Sequence, residues 1–266
     1  MRSPGAAFDL RAAMTDELKA ALRELEASAT PGKAVHRCRV HLKRARAMGK
    51  IGKVAAPGLA AVFNESARGL MRQLAEMRDL YALVDTARML AESVDPESAV
   101  GLTNAADALE ARRQALDEID IEAIRAGVRD LLALAQVWPQ PSPRQLRAGA
   151  QRILKRARRA RRRGLKTGDH TIRHTWRKRE KDRLFAASAL DKAWPARRKR
   201  KHSAAVGHLL GQERDARLLH KRLKTEPSLA GDAIAAGRAK RVLRRYWTRA
   251  RRRADRLGAH LEAAGA

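Results

Sequence analysis

Val35, Cys38, Leu42 and Ala45 recur at steps of three and four residues, and His36, Arg39, Lys43, Arg46 and Lys50 repeat that rhythm beside them. An apolar stripe beside a basic one is the pattern of an amphipathic α-helix. Apolar runs elsewhere are also short and interrupted by charge, and none is long enough to cross a bilayer. Proline marks where the runs begin. After Pro4, the pairs Thr30-Pro31, Ala56-Pro57, Asp95-Pro96, Ser142-Pro143, Trp194-Pro195 and Glu226-Pro227 each precede a helix-like stretch. Proline is tolerated in a first helical turn, where its missing N–H costs nothing, and Thr30, Asp95 and Ser142 are good N-caps. The pattern predicts helices over 10–27, 32–50, 58–92, 97–136 (broken near Gly101 or Asp120), 143–163, 169–193, 196–223 and 228–262. The fold class is all-α.

Composition agrees with that reading. Ala, Leu, Arg, Glu and Lys at this density favour helix over sheet, and the aromatics are only four Trp, two Tyr and three Phe. With 266 residues, 44% of them hydrophobic, the chain can bury one large core or two smaller ones. Cys38 is the sole cysteine, which excludes a disulfide framework and a cysteine zinc site. No signal peptide is expected, and a cytoplasmic protein is the default expectation.

Charge changes the picture most. Lys and Arg total 58 against 29 Asp and Glu, a net +29. Residues 1–140 hold 20 basic and 19 acidic side chains, whereas residues 141–266 hold 38 and 10. So basic a chain repels itself unless anions neutralise it, which points to a polyanionic partner: nucleic acid, anionic membrane, acidic protein or inorganic polyphosphate.

The charge changes at "VWPQPSP" (Val137–Pro143), which also divides the predicted helices into two sets of four. Residues 1–140 and 141–266 share two motifs in the same order. His36, Arg39 and Lys43 are matched by His174, Arg177 and Lys181; Arg78-Asp79 is matched by Arg214-Asp215. His36 precedes Asp79 by 43 residues and His174 precedes Asp215 by 41. The recurrence predicts an internal duplication, with two four-helix bundles related by a pseudo-two-fold axis.

Positions i, i+3 and i+7 share a helix face, so the stripe from His36 to Lys50 spans about 21 Å at 1.5 Å per residue. A one-dimensional row of cations suits a linear polyanion. Arg supplies a fork of donors for phosphate oxygens, Lys a mobile point charge, and His a charge that can change near neutral pH. Asp79 and Asp215 are expected to orient or neutralise a neighbouring cation. Further basic runs, Lys155–Lys166, Arg197–Lys201 and Arg238–Arg256, add Lys155, Arg159, Arg162, Arg197 and Lys201 to the candidate polyanion contacts.

Other chemistries are poorly served. Phosphoryl transfer needs a metal held by clustered carboxylates or a Walker loop; none of the ten acids of the basic half forms a D-x-D or E-x-x-E cluster at a motif, and no G-x4-G-K-[ST] occurs. His170 and His174 are spaced to share a metal, but "HTIRH" lacks the glutamate of a zinc-protease helix. No metal, cofactor or catalytic residue is therefore expected. Nucleic-acid binding is the alternative function: charge supports it, but stacking aromatics and base-reading motifs are absent, so incidental binding at low salt is expected. A membrane-surface role fits least, because the basic helices lack a clean apolar face.

The ordered set of H-x2-R-x3-K-R-x-R at His36–Arg46, H-x2-R-K-x2-K at His174–Lys181 and one R-D pair per half resembles the CHAD domain family. The resemblance spans essentially the whole chain. It implies two pseudo-symmetric four-helix bundles and a basic groove that binds inorganic polyphosphate, with granule association as a family expectation. It further implies that His36, Arg39, Lys43, Arg44, Arg46, His174, Arg177, Lys178 and Lys181 line that groove, with Lys50 extending the stripe. Two features depart from the family pattern. Leu184-Phe185 stands where an arginine-tyrosine pair is usual, and Asp182 stands at a typically basic position, with Arg183 as its substitute. The E-x-E-x-K signature of the triphosphate-tunnel domain that often accompanies this family is missing; Glu24-Leu25-Glu26 is its nearest approach.

Overall fold

The computed structural model describes residues 8–27, 31–115, 120–195 and 200–263. Among them the chain forms ten α-helices and no strand: α1 (Leu10–Ala27), α2 (Pro31–Gly52), α3 (Pro57–Gln73), α4 (Ala75–Ala91), α5 (Pro96–Gln114), α6 (Ile121–Gln136), α7 (Pro143–Lys166), α8 (His170–Leu190), α9 (Arg200–Thr225) and α10 (Ala233–Ala263). Short 3-10 turns follow α8 and precede α10, at Asp191–Ala193 and Pro227–Ala230.

Local chemistry sets most boundaries. Asp95 accepts a hydrogen bond from the Ser98 N–H at 2.9 Å, and Ser142 forms a capping box with Gln145; Thr30 lies outside the described residues. Two caps beyond those three start the helices that follow them, and one is Asp120, the second of the two break positions read from the sequence. Asp120 accepts from the Ala123 N–H at 2.8 Å, and Asp169 accepts from Thr171 and Ile172. The expected helix 97–136 therefore divides at Asp120.

Gly101 is no break. It lies inside α5 where that helix crosses α10, and a Cβ there would stand 2.5 Å from the Ala235 carbonyl oxygen. Gly101→Ala is expected to lower stability by about 1–3 kcal/mol through overpacking. Gly69→Ala, with open space around it, should raise stability by about 0.5–1 kcal/mol. Urea unfolding of the two variants checks the pair.

The expected single helix 58–92 is two. Leu74, fully buried, separates α3 from α4 with φ −84° and ψ 7°. Nothing in the local sequence favours a stop there. The interruption sits where Arg39 of α2 reaches the last turn of α3 and donates to the Met71 carbonyl, a favourable site for a cation. Elsewhere the limits move modestly. The helix expected over 143–163 runs on to Lys166, and that over 169–193 stops at Leu190, before Asp191 with φ 39°. The one expected over 228–262 is preceded by a turn closing on Gly231 with φ 96°.

Three apolar clusters form the interior. The first joins α1, α2, α3 and α6 to the start of α7 and the end of α8, around Phe63 and Trp138, whose rings meet edge to face at 5.6 Å. The second joins α4 and α5 to the ends of α9 and α10 that lie near the 227–230 turn. The third surrounds Trp176 with residues of α7, α9 and α10. The first two clusters both draw residues from each side of position 140.

Around Trp176 the packing is also ionic. Arg173, buried on α8, binds Glu213 of α9 and Asp255 of α10, each at 2.7 Å. Glu180 accepts from Trp176 at 3.1 Å and Ser203 at 2.7 Å, with Arg161 and Arg183 each 3.7 Å away. Arg161 also reaches Glu262 at 2.9 Å. Part of the basic excess in the second half thus neutralises internal acids. Arg183, expected to substitute in the groove, is one of these buried cations.

Candidate functional site

The helices that carry matching motifs meet in space: α2 packs against α8, and α4 against α9. The apolar stripe of α2, Val35, Cys38, Leu42 and Ala45, is completely buried, and this fixes the rotation of the helix. On one flank Arg37, His41 and Arg44 turn toward α1, pairing with Glu24 at 2.8 Å and with Glu17 at 2.6 and 3.6 Å respectively. On the other flank His36, Arg39 and Lys43 join the motif residues of α4, α8 and α9.

The Arg-Asp pairs form the centre of this junction. Arg214 binds Asp215 at 2.8 Å and reaches across to Asp79 at 3.3 Å, while Arg78 contacts Asp79 and lies 3.8 Å from Asp215. Each acid therefore serves its neighbouring arginine and the matching arginine of the other motif copy. His36, Arg39, Lys43, Arg177 and Lys181 form no such carboxylate pair among the described residues. Arg177, also of α8, lies against α9, close to Gly211.

The electrostatics show how crowded these cations are. Burial, reinforced by Arg39, Arg78, Arg177 and Lys181, brings Lys43 down from 10.5 to about 7. Burial, with Lys178, Arg214, Arg177 and Arg78, brings His174 down to about 4. Arg39 falls to about 10, through burial and Arg78. His36, Arg177 and Lys181 are lowered too, burial being the largest cause in each. Cations of both motif copies thus repel one another across the α2–α8 junction. The Nε atoms of Arg39 and Arg177 and Nδ1 of His174 are shut from solvent without a hydrogen-bond partner among the described residues.

The sequence-derived candidates divide accordingly. His36, Arg39, Lys43, His174, Arg177, Lys178 and Lys181 come together, with Lys178 exposed at the edge. Arg46 and Lys50 occupy the other end of α2, where Lys50 pairs with Asp182 and Asp182 also binds Arg179 at 3.1 Å. The acid at the departing position thus neutralises one end of the row. Arg44 faces Glu17 instead of the junction, and Arg162 pairs with Glu262. Lys155 and Arg159 are exposed on α7, apart from the charges that dominate Lys43 and His174. Arg197 and the side chain of Lys201 lie outside the described residues. Sequence reasoning gave Asp79 and Asp215 a neighbouring Arg or His of the stripe as partner, whereas the acids bind Arg78 and Arg214. Their recurrence beside the repeated stripe was the signal that they belong to the same junction.

Such a junction offers many hydrogen-bond donors and a surplus of positive charge, with its two central acids already paired. It can hold phosphate groups in several places at once. Comparison with known proteins follows the same line. Residues 12–224 match the family model described as CHAD domain. The structure is similar to that of the CHAD domain from the plant Ricinus communis, with a TM-score of 0.65 and 19% identity over 97% of this chain and 95% of that one. It is also similar to PptA from Streptomyces chartreusis, with a TM-score of 0.63 and 16% identity over 96% and 97% of the two chains. At these identities the likeness is one of fold. No curated protein matches the sequence.

Proposed function

The chain belongs to the CHAD domain family, and on that premise we propose that it binds inorganic polyphosphate, without catalysis, at the junction of α2, α4, α8 and α9. The observation that carries the reading is the convergence of cations from both motif copies on Lys43, a lysine held near pKa 7 by burial and by Arg39, Arg78, Arg177 and Lys181. A linear anion laid along α2 and α8 relieves that repulsion at several points together. Binding then draws on several Lys and Arg contacts and on released counterions, so affinity falls steeply with salt. Longer polymers engage more contacts and bind more tightly; association with polyphosphate granules follows from that preference. We further infer that the two motif-bearing helix sets descend from a duplication, since α2 and α8, and α4 and α9, carry matching residues and pack on one another.

A second reading, nucleic-acid binding, is favoured by α10. Arg241, Arg244, Arg245, Arg249, Arg252 and Arg256 are exposed there and have no acid partner among the described residues. Such a surface serves any phosphate polymer. A competition titration separates the readings. Labelled long-chain polyphosphate, bound at near-physiological salt, is challenged with equal phosphate concentrations of duplex DNA, single-stranded RNA and tripolyphosphate. Resistance by tenfold or more, about 1.4 kcal/mol, is the expected result. Displacement by DNA or RNA one for one overturns the polyphosphate reading.

A further inference from the structure

Beside the junction, α8, α9 and α10 line an open cavity of about 640 Å³, well within the size range of small-molecule sites. Its character differs from that of the cation cluster. Leu210, Leu218 and the half-buried indole of Trp247 supply apolar wall, while Arg217, His220 and Lys221 supply charge and donors. The imidazole of His220 meets the Trp247 ring edge to face at 4.8 Å, and the Arg217 guanidinium stands 5.3 Å over that ring. Glu213, the one acid in the lining, is gripped by Arg173. His174 and Arg214 line the cavity as well as the junction, so the two spaces share a wall.

A bare phosphate chain has no use for that apolar and aromatic surface. A ligand that matches both spaces carries a flat aromatic group at one end and a phosphate chain at the other. We propose that the cavity binds the base of a nucleoside polyphosphate, stacked against Trp247, Arg217 and His220, with its phosphates directed past His174 and Arg214 into the junction. Every base offers a π-face that can stack on an aromatic side chain, and the guanidinium adds a second planar surface. Of the lining residues, Trp247 alone lies beyond residues 12–224 that match the family model, so the aromatic wall is the part of the cavity that the family match does not cover. The inference rests on the junction being a phosphate-binding site.

ATP and inorganic tripolyphosphate, titrated without magnesium at one salt concentration, test it. Tripolyphosphate carries more negative charge, so charge alone makes it the tighter ligand. The expected result is the reverse, with ATP bound at least tenfold more tightly. Trp247→Ala should bring ATP down to the level of tripolyphosphate and leave long-chain polyphosphate binding unchanged; His220→Ala should weaken ATP severalfold with the same selectivity. Should Trp247→Ala unfold, the unaltered protein still decides. Trp138, Trp176 and Trp194 are buried, so fluorescence quenching by ATP and not by tripolyphosphate reports the half-exposed Trp247. Equal affinities for ATP and tripolyphosphate overturn the proposal even when long-chain polyphosphate binds. Trp247-dependent ATP binding without polyphosphate binding supports it while the polyphosphate reading falls.

Discussion

Replacing Glu213 with alanine is expected to destabilise the protein by about 3–5 kcal/mol, the cost of stranding one partner of a buried ion pair. Arg173 and Glu213 are only 2% and 3% exposed. The guanidinium donates Nε and Nη2 to the two Glu213 oxygens over 2.7–3.0 Å, and Nη1 to Asp255 and to the Gly164 carbonyl. These bonds join α7, α8, α9 and α10 at one point. Without Glu213, half of a fully buried fork loses its acceptors, and Asp255, on the opposite arm, cannot replace them. Glu213→Gln keeps an acceptor oxygen and should cost less, about 1–3 kcal/mol. Glu65 provides the contrast: it faces Arg68 at 2.6 Å but is more than half exposed, so Glu65→Ala should change stability by less than about 0.5 kcal/mol. Urea midpoints at constant slope measure all three. A loss below about 1 kcal/mol for Glu213→Ala would sink the idea that this network anchors the second half.

The same network explains why composition was an imperfect guide to the site. The second half holds most of the positive charge, yet Arg161, Arg173 and Arg183 sit inside and answer to Glu180, Glu213, Asp255 and Glu262. Those acids are scattered through the sequence, and only helix packing gathers them. The run Lys155–Lys166 has basic residues on every face, and it satisfies this by turning Arg161 inward while Arg159 stays in solvent.

What was legible was whatever short-range chemistry determines. Prolines and the caps Asp95 and Ser142 locate α3, α5 and α7 to within a residue of their starts, because capping depends on neighbours three residues away. The buried and polar faces of α2 follow from its spacing alone. The stop at Leu74 was not legible, since its partner is Arg39, 32 residues before the Met71 carbonyl that it meets. Nor was the fate of Lys50, which belongs to the stripe by spacing but is claimed by Asp182, 132 residues on. The repeated histidine and arginine motifs predicted two like helices. That the arginines of one copy pair with the acids of the other is a property of how α4 and α9 meet.

Long-chain polyphosphate affinity is expected to fall as pH rises from about 7 toward 9, by up to tenfold per pH unit, and to flatten in Lys43→Arg. Lys43 titrates near 7 in the free protein because burial and the surrounding cations Arg39, Arg78, Arg177 and Lys181 disfavour its charge. A bound polyanion favours that charge and raises the pKa. Below pH 7 the lysine is already protonated and binding takes up no proton there. Above pH 7 the free lysine is neutral, so each binding event must capture a proton, and affinity drops until the pKa of the bound state is passed. His174, brought down to about 4, titrates well below this window, and arginine stays charged through it. Folding has the opposite slope. The unfolded lysine, with its ordinary pKa of 10.5, binds more protons than the folded one between pH 7 and 10.5. The contribution of Lys43 to the stability of the ligand-free protein therefore rises with pH across that range. Calorimetric titrations in two buffers of different ionisation enthalpy count the protons captured, and urea unfolding of the parent and Lys43→Met proteins gives the stability slope. Proton uptake at pH 8 that vanishes in Lys43→Arg, together with a parent stability slope that exceeds that of Lys43→Met, is the expected pair. Binding without proton uptake at pH 8 would show that the phosphate chain does not lie over Lys43, and the junction would lose its central contact.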